Sequence, residues 1–477
     1  MNTKMKIPKT VYSMKEWSLL ILIILLACFL THYPHQNYPY LLHVDEWFHV
    51  AEAKQIVSGS HIDWYTGEKF SLGMEKAWHL TLALIYLVFK LSIKQWIYLP
   101  TILHITSILA VFYFVYRLYG KIEAFISSLL IAILPSNVTM GGPVFLIPIN
   151  LSLIFIPLAL LFAFKLTNIK TIYNHILLFL LTTFLLYAHP PTAFVLLLIL
   201  TIYLLLQIFS KEEKSKTIPL LSIIISSIIV STPNYLPFLH EKGISNIKFN
   251  FDVYLHGIPL LYGILPSLFF ITGAYIITKS KDKKSWSLLL TSLILILNIL
   301  FFTRTGLTYF LPYQRTFIPL FLIMSIIAGK GYTELININK PTRKTGLILL
   351  IFLLLITTYT AIDRNTHENY YHIIDDKDYK SFLWIKNNTP TNTVILLDPW
   401  KARALPPIAE RRVYTVIPFG PNEEQLKLVK KANKFFTDNC SNTTFLLENN
   451  ITVIYTNTRC INQDLIKIKE NIYILKE

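Results

Sequence analysis

The chain has 477 residues, 53% of them hydrophobic, and a mean hydropathy of +0.49, which excludes a soluble domain built around one large core. Its 44 Lys/Arg against 28 Asp/Glu give a formal charge of +16. From residue 363 onward sixteen Lys/Arg meet fourteen Asp/Glu, so the surplus sits earlier, in short loops between apolar runs, where the positive-inside rule explains it without a nucleic-acid partner.

Apolar windows of spanning length predict about eleven transmembrane helices. They lie near 14–32, 98–116, 122–138, 146–165, 171–187, 192–210, 217–232, 258–278, 285–302, 316–330 and 345–362. The run at 17–30 lacks a small-residue cleavage site and reads as a retained first helix, not a signal peptide. Lys4, Lys6, Lys9 and Lys15 place the N-terminus in the cytoplasm. Arg117 with Lys121, Lys165 with Lys170, Lys211 to Lys216, Lys279 to Lys284 and Lys330 to Lys344 mark further cytoplasmic loops. All fall on one side only if residues 77–96 do not cross, and their apolar stretch Leu80 to Phe89 is about half a bilayer long.

Segment 33–97 is therefore one long external loop. It holds six of the fourteen acidic residues that precede position 363: Asp45, Glu46, Glu52, Asp63, Glu68 and Glu75. Carboxylates at headgroup depth are costly and usually functional. At its start, His43-Val-Asp45-Glu46-Trp47-Phe48-His49 leads into Glu46 to Val57, an amphipathic stretch expected to lie on the membrane surface. Asp45 is the candidate general base; the plainer reading is that it caps this helix. Glu46 and His49, three apart on one helix face, form with His43 a partial metal set, but no second such motif completes it, and solvated surface residues are the alternative. Lys76 and His79, opening the half-length helix, are candidate phosphate contacts or interfacial anchors.

Further along, His189 in Tyr-Ala-His-Pro-Pro-Thr stands at an external helix boundary, as a ligand contact or a cap. Arg304 and Arg315 flank the short external loop 305–314. A guanidinium there offers a lipid phosphate bidentate hydrogen bonds, and snorkelling to headgroups is the alternative. Arg315 opens a predicted helix, whose N-terminus would add to an anion site.

From Asp363 the chain turns soluble in character. A helix over 378–388, strands over 394–397, 412–417, 451–455 and 472–475 and a helix over 423–436 predict a small external α/β domain, giving domains 1–362 and 363–477. Cys440 and Cys460 fall within it, either bridged or as unrelated thiols. The turn Asp398-Pro-Trp400-Lys401, with Arg403, is a candidate acceptor or sugar contact, or an ordinary strand exit.

Together these features resemble the GT-C superfamily of integral-membrane glycosyltransferases, whose members include protein O-mannosyltransferases, aminoarabinose transferases and oligosaccharyltransferase catalytic subunits. The resemblance rests on the external loop with its acidic pair Asp45-Glu46, the half-length helix opening Glu75-Lys76-Ala77-Trp78-His79, Pro312-Tyr313-Gln314-Arg315 before an apolar helix, and the external C-terminal domain. It implies a polytopic α-helical membrane enzyme that moves a sugar from a polyprenyl (dolichyl) phosphate to an acceptor on the extracytoplasmic face of the cell membrane, with inversion. Asp45, with Glu46, would be catalytic. Arg315, Arg304, Lys76 and His79 would bind the donor phosphate, and His49, His189, Asp398, Trp400 and Lys401 would meet sugar or acceptor. Two departures stand out. The segment Pro135 to Asn150 carries no acid, so no second acidic motif supports a divalent metal, and the cofactor stays open. A Trp-Trp-Asp-Tyr-Gly element is absent, which favours transfer of a single sugar to an unspecified glycan, lipid or protein acceptor over an Asn-peptide. A transporter or lipid flippase is the alternative class; its internal repeat is not found, and the charges cluster in external loops rather than mid-helix. A non-catalytic membrane anchor is a third.

Overall fold

The computed structural model describes residues 14–165, 172–210, 214–241, 257–307, 311–338, 343–418 and 422–476. Lys4, Lys6, Lys9, Lys170 and Lys211 lie outside the described residues.

Helices overlie the apolar windows. The first is α1 (Met14–His32); the acidic loop forms α2 (Val44–Ser58), α3 (Lys76–Phe89) and the one-turn α4 (Ile93–Trp96). A helical series follows: α5 (Leu99–Leu118), α6 (Lys121–Ala132), α7 (Leu151–Ala163), α8 (Ile172–Ala188), α9 (Pro190–Phe209) and α10 (Lys214–Glu241). It continues through α11 (Gly257–Tyr262), α12 (Ile264–Thr278), α13 (Lys283–Thr305), α14 (Tyr313–Ile338) and α15 (Arg343–Thr366). Six helical stretches among the described residues are long and apolar enough to cross a membrane, and four shorter apolar helices accompany them. The predicted span 258–278 is interrupted: Gly263, at φ +112°, breaks it into α11 and α12.

The helices pack through their small residues. A Cβ on Gly331 of α14 would meet the Phe269 carbonyl of α12 at 2.0 Å, and one on Gly273 of α12 would meet the Ile327 carbonyl of α14 at 2.2 Å. The two backbones thus touch directly, as small residues allow in apolar surroundings. α14 becomes the central helix, almost wholly buried, and it carries Arg315 in its first turn. Around the outside, Trp17, Ile21, Leu22 and Leu25 of α1 and Leu84, Val88 and Phe89 of α3 stay exposed. Such an apolar exterior is stable facing lipid, not water.

Contrary to the expectation of a surface-lying helix, α2 is enclosed: Trp47, Val50, Ala51 and Ala53 are fully buried. α3 is two-sided, burying Trp78, His79, Leu82 and Ala83 while exposing Leu80 and Leu84. It ends where Lys90 turns left-handed at φ 51°, and a Ser92–Gln95 capping box starts α4.

The last hundred residues form a five-stranded sheet of order β2-β1-β3-β5-β4, from β1 (Val394–Leu397), β2 (Arg412–Val413), β3 (Ile451–Tyr455), β4 (Leu465–Lys469) and β5 (Ile472–Leu475). β1 runs parallel to β2 and β3; β5 joins antiparallel, with β4 on its far edge. The expected strand 412–417 shrinks to two residues, because beyond Val413 the chain turns back, the Ile417 amide donating to the Pro399 carbonyl. β4, which was not among the expected strands, is exposed in all but its first residue, although Ile466 and Ile468 alternate with Lys467 and Lys469. Helices α16 (Asp376–Asn388), α17 (Leu405–Ala409), α18 (Glu423–Thr437) and α19 (Thr443–Glu448) flank the strands, and Cys440 and Cys460 are joined by a disulfide.

This layer is stitched to the acidic loop. The Val413 amide donates to the Trp64 carbonyl, the Tyr65 hydroxyl to the Arg403 carbonyl at 2.8 Å, and Lys54 Nζ to the Pro407 carbonyl at 2.7 Å. Trp47, Trp64 and Tyr65 share one hydrophobic core with Ala402, Leu405 and Ile408. That packing holds the turn around Trp400 above the start of α2.

Candidate active site

The start of α2 sets the geometry. His43, in extended conformation, is the N-cap: the Asp45 amide donates to its Nδ1 at 3.1 Å. Glu46 closes the capping box, accepting from the amides of Leu42 and His43 at 2.8 Å each and from Leu146 at 2.7 Å. His43 Nε2 lies 2.8 Å from the Val138 carbonyl. The acid-free segment 135–150 therefore contributes backbone groups that clamp the helix start. Gly142 permits its close fold, since a Cβ there would strike the Pro135 carbonyl at 2.6 Å. Two expectations are corrected here. Asp45 is not the cap, and Glu46, 1% exposed with both oxygens engaged by amides, is not oriented for chemistry or for a metal with His49. Burial pushes the Glu46 carboxyl up to about 7, against three amide hydrogen bonds that pull it down.

Relieved of capping, Asp45 points into a cavity of about 450 Å³ lined by His43, Phe48, His49, Glu75, His189, Arg315, Tyr371, Trp400 and Arg403 among others. Arg315 Nη2, 270 positions away, donates to Asp45 Oδ2 at 3.2 Å. Burial raises the Asp45 carboxyl, but the fields of His43 and Arg315 and the Arg315 hydrogen bond outweigh it and hold the group below its ordinary value. Burial keeps His49 itself neutral, so Arg315 is the permanent charge in that set.

Behind Asp45 lies an imidazole–carboxylate cluster in which His49 and His79 are buried and Glu75 is half-buried. His49 Nδ1 is 2.9 Å from His79 Nε2 and 3.9 Å from Glu75 Oε2. Glu75 Oε1 is 3.8 Å from His189 Nε2, and burial raises the Glu75 carboxyl to about 8. His189 also caps α9, its Nδ1 accepting from the Thr192 amide at 3.3 Å and lying 2.7 Å from Thr192 Oγ1, and it lines the cavity. His49, read as solvated, is 4% exposed. Among the described residues, His49, Glu75 and His79 alone form a group of three whose ligand atoms are close enough to hold a metal ion.

The other expected residues separate into two groups. Trp400, 46% exposed, and Arg403, 2% exposed, line the cavity wall opposite Asp45, and Trp400 stands 5.9 Å from the Tyr371 ring. Asp398 instead caps its own turn, accepting from the amides of Trp400 and Lys401. Lys401 Nζ pairs with Asp378 Oδ1 at 2.7 Å. Both lie on a neighbouring hollow, outside the Asp45 cavity. Arg304 is exposed at the end of α13, and Lys76 does not line the cavity. Sequence reasoning counts Glu75 among the loop carboxylates without giving it a role, and does not single out Tyr371. The Glu75–His79 spacing of one helical turn was a usable signal; Tyr371, placed by its amide bond to the Leu42 carbonyl, left none.

No family model and no curated protein matches the chain. Solved structures match its fold. An Archaeoglobus fulgidus oligosaccharyltransferase superposes with a TM-score of 0.66 at 11% identity, over 92% of this chain and 69% of that one. The same archaeal protein, AglB, has been captured with an inhibitory peptide and a dolichol-phosphate. ArnT from Cupriavidus metallidurans bound to undecaprenyl phosphate gives 0.59 at 10% identity, over 97% and 98% of the two chains. The mycobacterial arabinofuranosyltransferase AftD gives 0.65 at 12% identity, over 98% of this chain and 40% of its own. The chain thus has the fold of the GT-C glycosyltransferases.

Proposed function

We propose that this protein is a membrane glycosyltransferase that takes a sugar from a polyprenyl-phosphate donor and delivers it to an acceptor on the extracytoplasmic face. The observation that carries the reading is the meeting of Asp45 with Arg315, at 3.2 Å, in a cavity beneath the Trp400 wall. A lipid-phosphate leaving group is stable as an anion, so the reaction needs a base for the acceptor and a cation for the phosphate. In the proposed step the Asp45 carboxylate takes the proton as the acceptor oxygen bonds to the anomeric carbon. The bond from that carbon to the phosphate oxygen breaks with its electron pair, inverting the centre. The lipid phosphate leaves as an anion held by Arg315, which it shares with Asp45.

The donor class is supported by the fold and by neighbours captured with dolichol-phosphate and undecaprenyl phosphate. The proposal includes about eleven crossings, a cytoplasmic N-terminus, a catalytic region 1–362 and an extracytoplasmic region 363–477 that carries acceptor contacts on Trp400 and Arg403. Incubating the purified full chain with radiolabelled polyprenyl-phosphate hexoses and a native membrane extract tests it. Label must pass from donor lipid to an extract component. Donor that stays intact with every hexose and extract contradicts the reading and returns the transporter alternative.

A further inference from the structure

We infer that His49, His79 and Glu75 form a divalent-metal site of the zinc class beside the Asp45–Arg315 pair. The first observation is geometric. Two ligands bound at zinc distances on tetrahedral corners sit ~3.3 Å apart. The separations here, 2.9 Å for His49 Nδ1 to His79 Nε2 and 3.9 Å for His49 Nδ1 to Glu75 Oε2, bracket that value. All the ligand atoms lie within 4.8 Å of one another.

The second observation is independent of the first. On the far side of His79, Nδ1 faces Glu52 Oε2 at 4.0 Å, and neither buried atom has a hydrogen-bond partner. A buried carboxylate left unpaired against an imidazole is expensive unless something offsets it. A cation on His79 Nε2 would make Nδ1–H a strong donor aimed at Glu52, the usual outer partner of a metal-bound histidine. Glu75 is similarly held from behind by His189, whose own Nδ1 is engaged with Thr192.

Two imidazoles and one carboxylate leave a fourth position open, the arrangement of a reactive rather than a purely structural zinc site. His49 and Glu75 line the cavity, so that position faces the space shared with Asp45 and Arg315. A phosphate oxygen is the ligand chemistry that both the ion and Arg315 would attract. The ligand set differs from the acidic motif sought in the sequence. It uses imidazoles of α2 and α3, and the acid-free segment 135–150 supplies no side-chain ligand to it.

Binding, not turnover, tests the site, so the result stands apart from the transferase reading. The full-length protein in detergent is stripped with chelator and titrated with Co²⁺ and then Zn²⁺, following the cobalt visible spectrum and bound zinc by elemental analysis. The expected result is one zinc per chain and a tetrahedral cobalt spectrum. His49→Ala and His79→Ala should abolish both, Glu52→Gln should weaken affinity about 10–100-fold, and Arg304→Ala should change nothing. Wild-type protein that retains no zinc and gives no tetrahedral cobalt spectrum overturns the inference without recourse to any variant. So does undiminished binding by a folded His49→Ala/Glu75→Gln protein, which would place the ion elsewhere.

Discussion

Replacing Arg315 with Gln tests two consequences of one contact. The guanidinium donates to Asp45 Oδ2 at 3.2 Å and, in the proposed reaction, turns to the donor phosphate. A hydrogen bond to a charged group is worth about 1.5–3 kcal/mol. The Arg315 side chain is 33% exposed, so the lower part of that range applies. A loss of about 1.5–2 kcal/mol weakens polyprenyl-phosphate binding ~10–30-fold. The second consequence concerns pH. Asp45 is held below its ordinary value, so the base stays ionised, and activity survives, until the pH falls through that depressed value. Removing Arg315 takes away one opposing field and its hydrogen bond and leaves burial set mainly against His43, so protonation sets in at a higher pH. The acid limb of kcat/KM should move upward in Arg315→Gln. Competition by unlabelled polyprenyl phosphate gives the first quantity, and the pH profile of transfer gives the second. A folded variant with unchanged phosphate affinity and an unshifted acid limb would refute both roles.

Three other perturbations follow from the same geometry. Glu46→Ala strands three buried amides, those of Leu42, His43 and Leu146, and should cost about 3–5 kcal/mol; a thermal unfolding midpoint equal to wild type would show that the box is dispensable. Trp400→Ala removes an exposed aromatic wall and should raise the acceptor KM about 3–10-fold while donor affinity and melting stay put, and equal KM values would remove Trp400 from acceptor contact. Reducing or deleting the Cys440–Cys460 bridge, which spans 20 positions, should destabilise the sheet layer by about 3 kcal/mol, read as earlier proteolysis within 422–476; an unchanged cleavage rate contradicts it.

How much was legible depended on whether local pattern or long-range packing decides a residue's role. Apolar runs are local, and every window read as a span carries helix, although α6 ends at Ala132 and α7 starts only at Leu151, which cuts short the expected spans 122–138 and 146–165. The half-length α3 followed from an apolar stretch too short for a bilayer, and the partners Asp45 and Arg315 from their places at element starts outside the apolar runs. The alternative that Asp45 caps its helix gives way because Asp45 and His43 both suit a helix start, and only the backbone geometry at His43 decides between them. Glu46 resembled half of an acidic pair, yet the neighbouring amides of Leu42 and His43 and the amide of Leu146, 100 residues away, occupy it, and no local signal foretells the last of these. Arg304 and Lys76 do not line the Asp45 cavity, and being near a helix end says nothing about which way the helix faces. His49 was called solvated because α2 was expected on the membrane surface, whereas the sheet layer and α3 close over it. The interruption at Gly263 needed a left-handed glycine, which composition alone does not distinguish from an ordinary helical one.

The most direct test of the central claim is a single-turnover measurement with enzyme in excess over radiolabelled polyprenyl-phosphate sugar, comparing wild type with Asp45→Asn. The substitution keeps the side chain's size and removes its ability to take a proton. The account predicts that Asp45→Asn binds donor within a few-fold of wild type yet transfers sugar ~10²–10⁴-fold more slowly, the usual range for a lost general base. Transfer at the wild-type rate by a folded Asp45→Asn protein would contradict it.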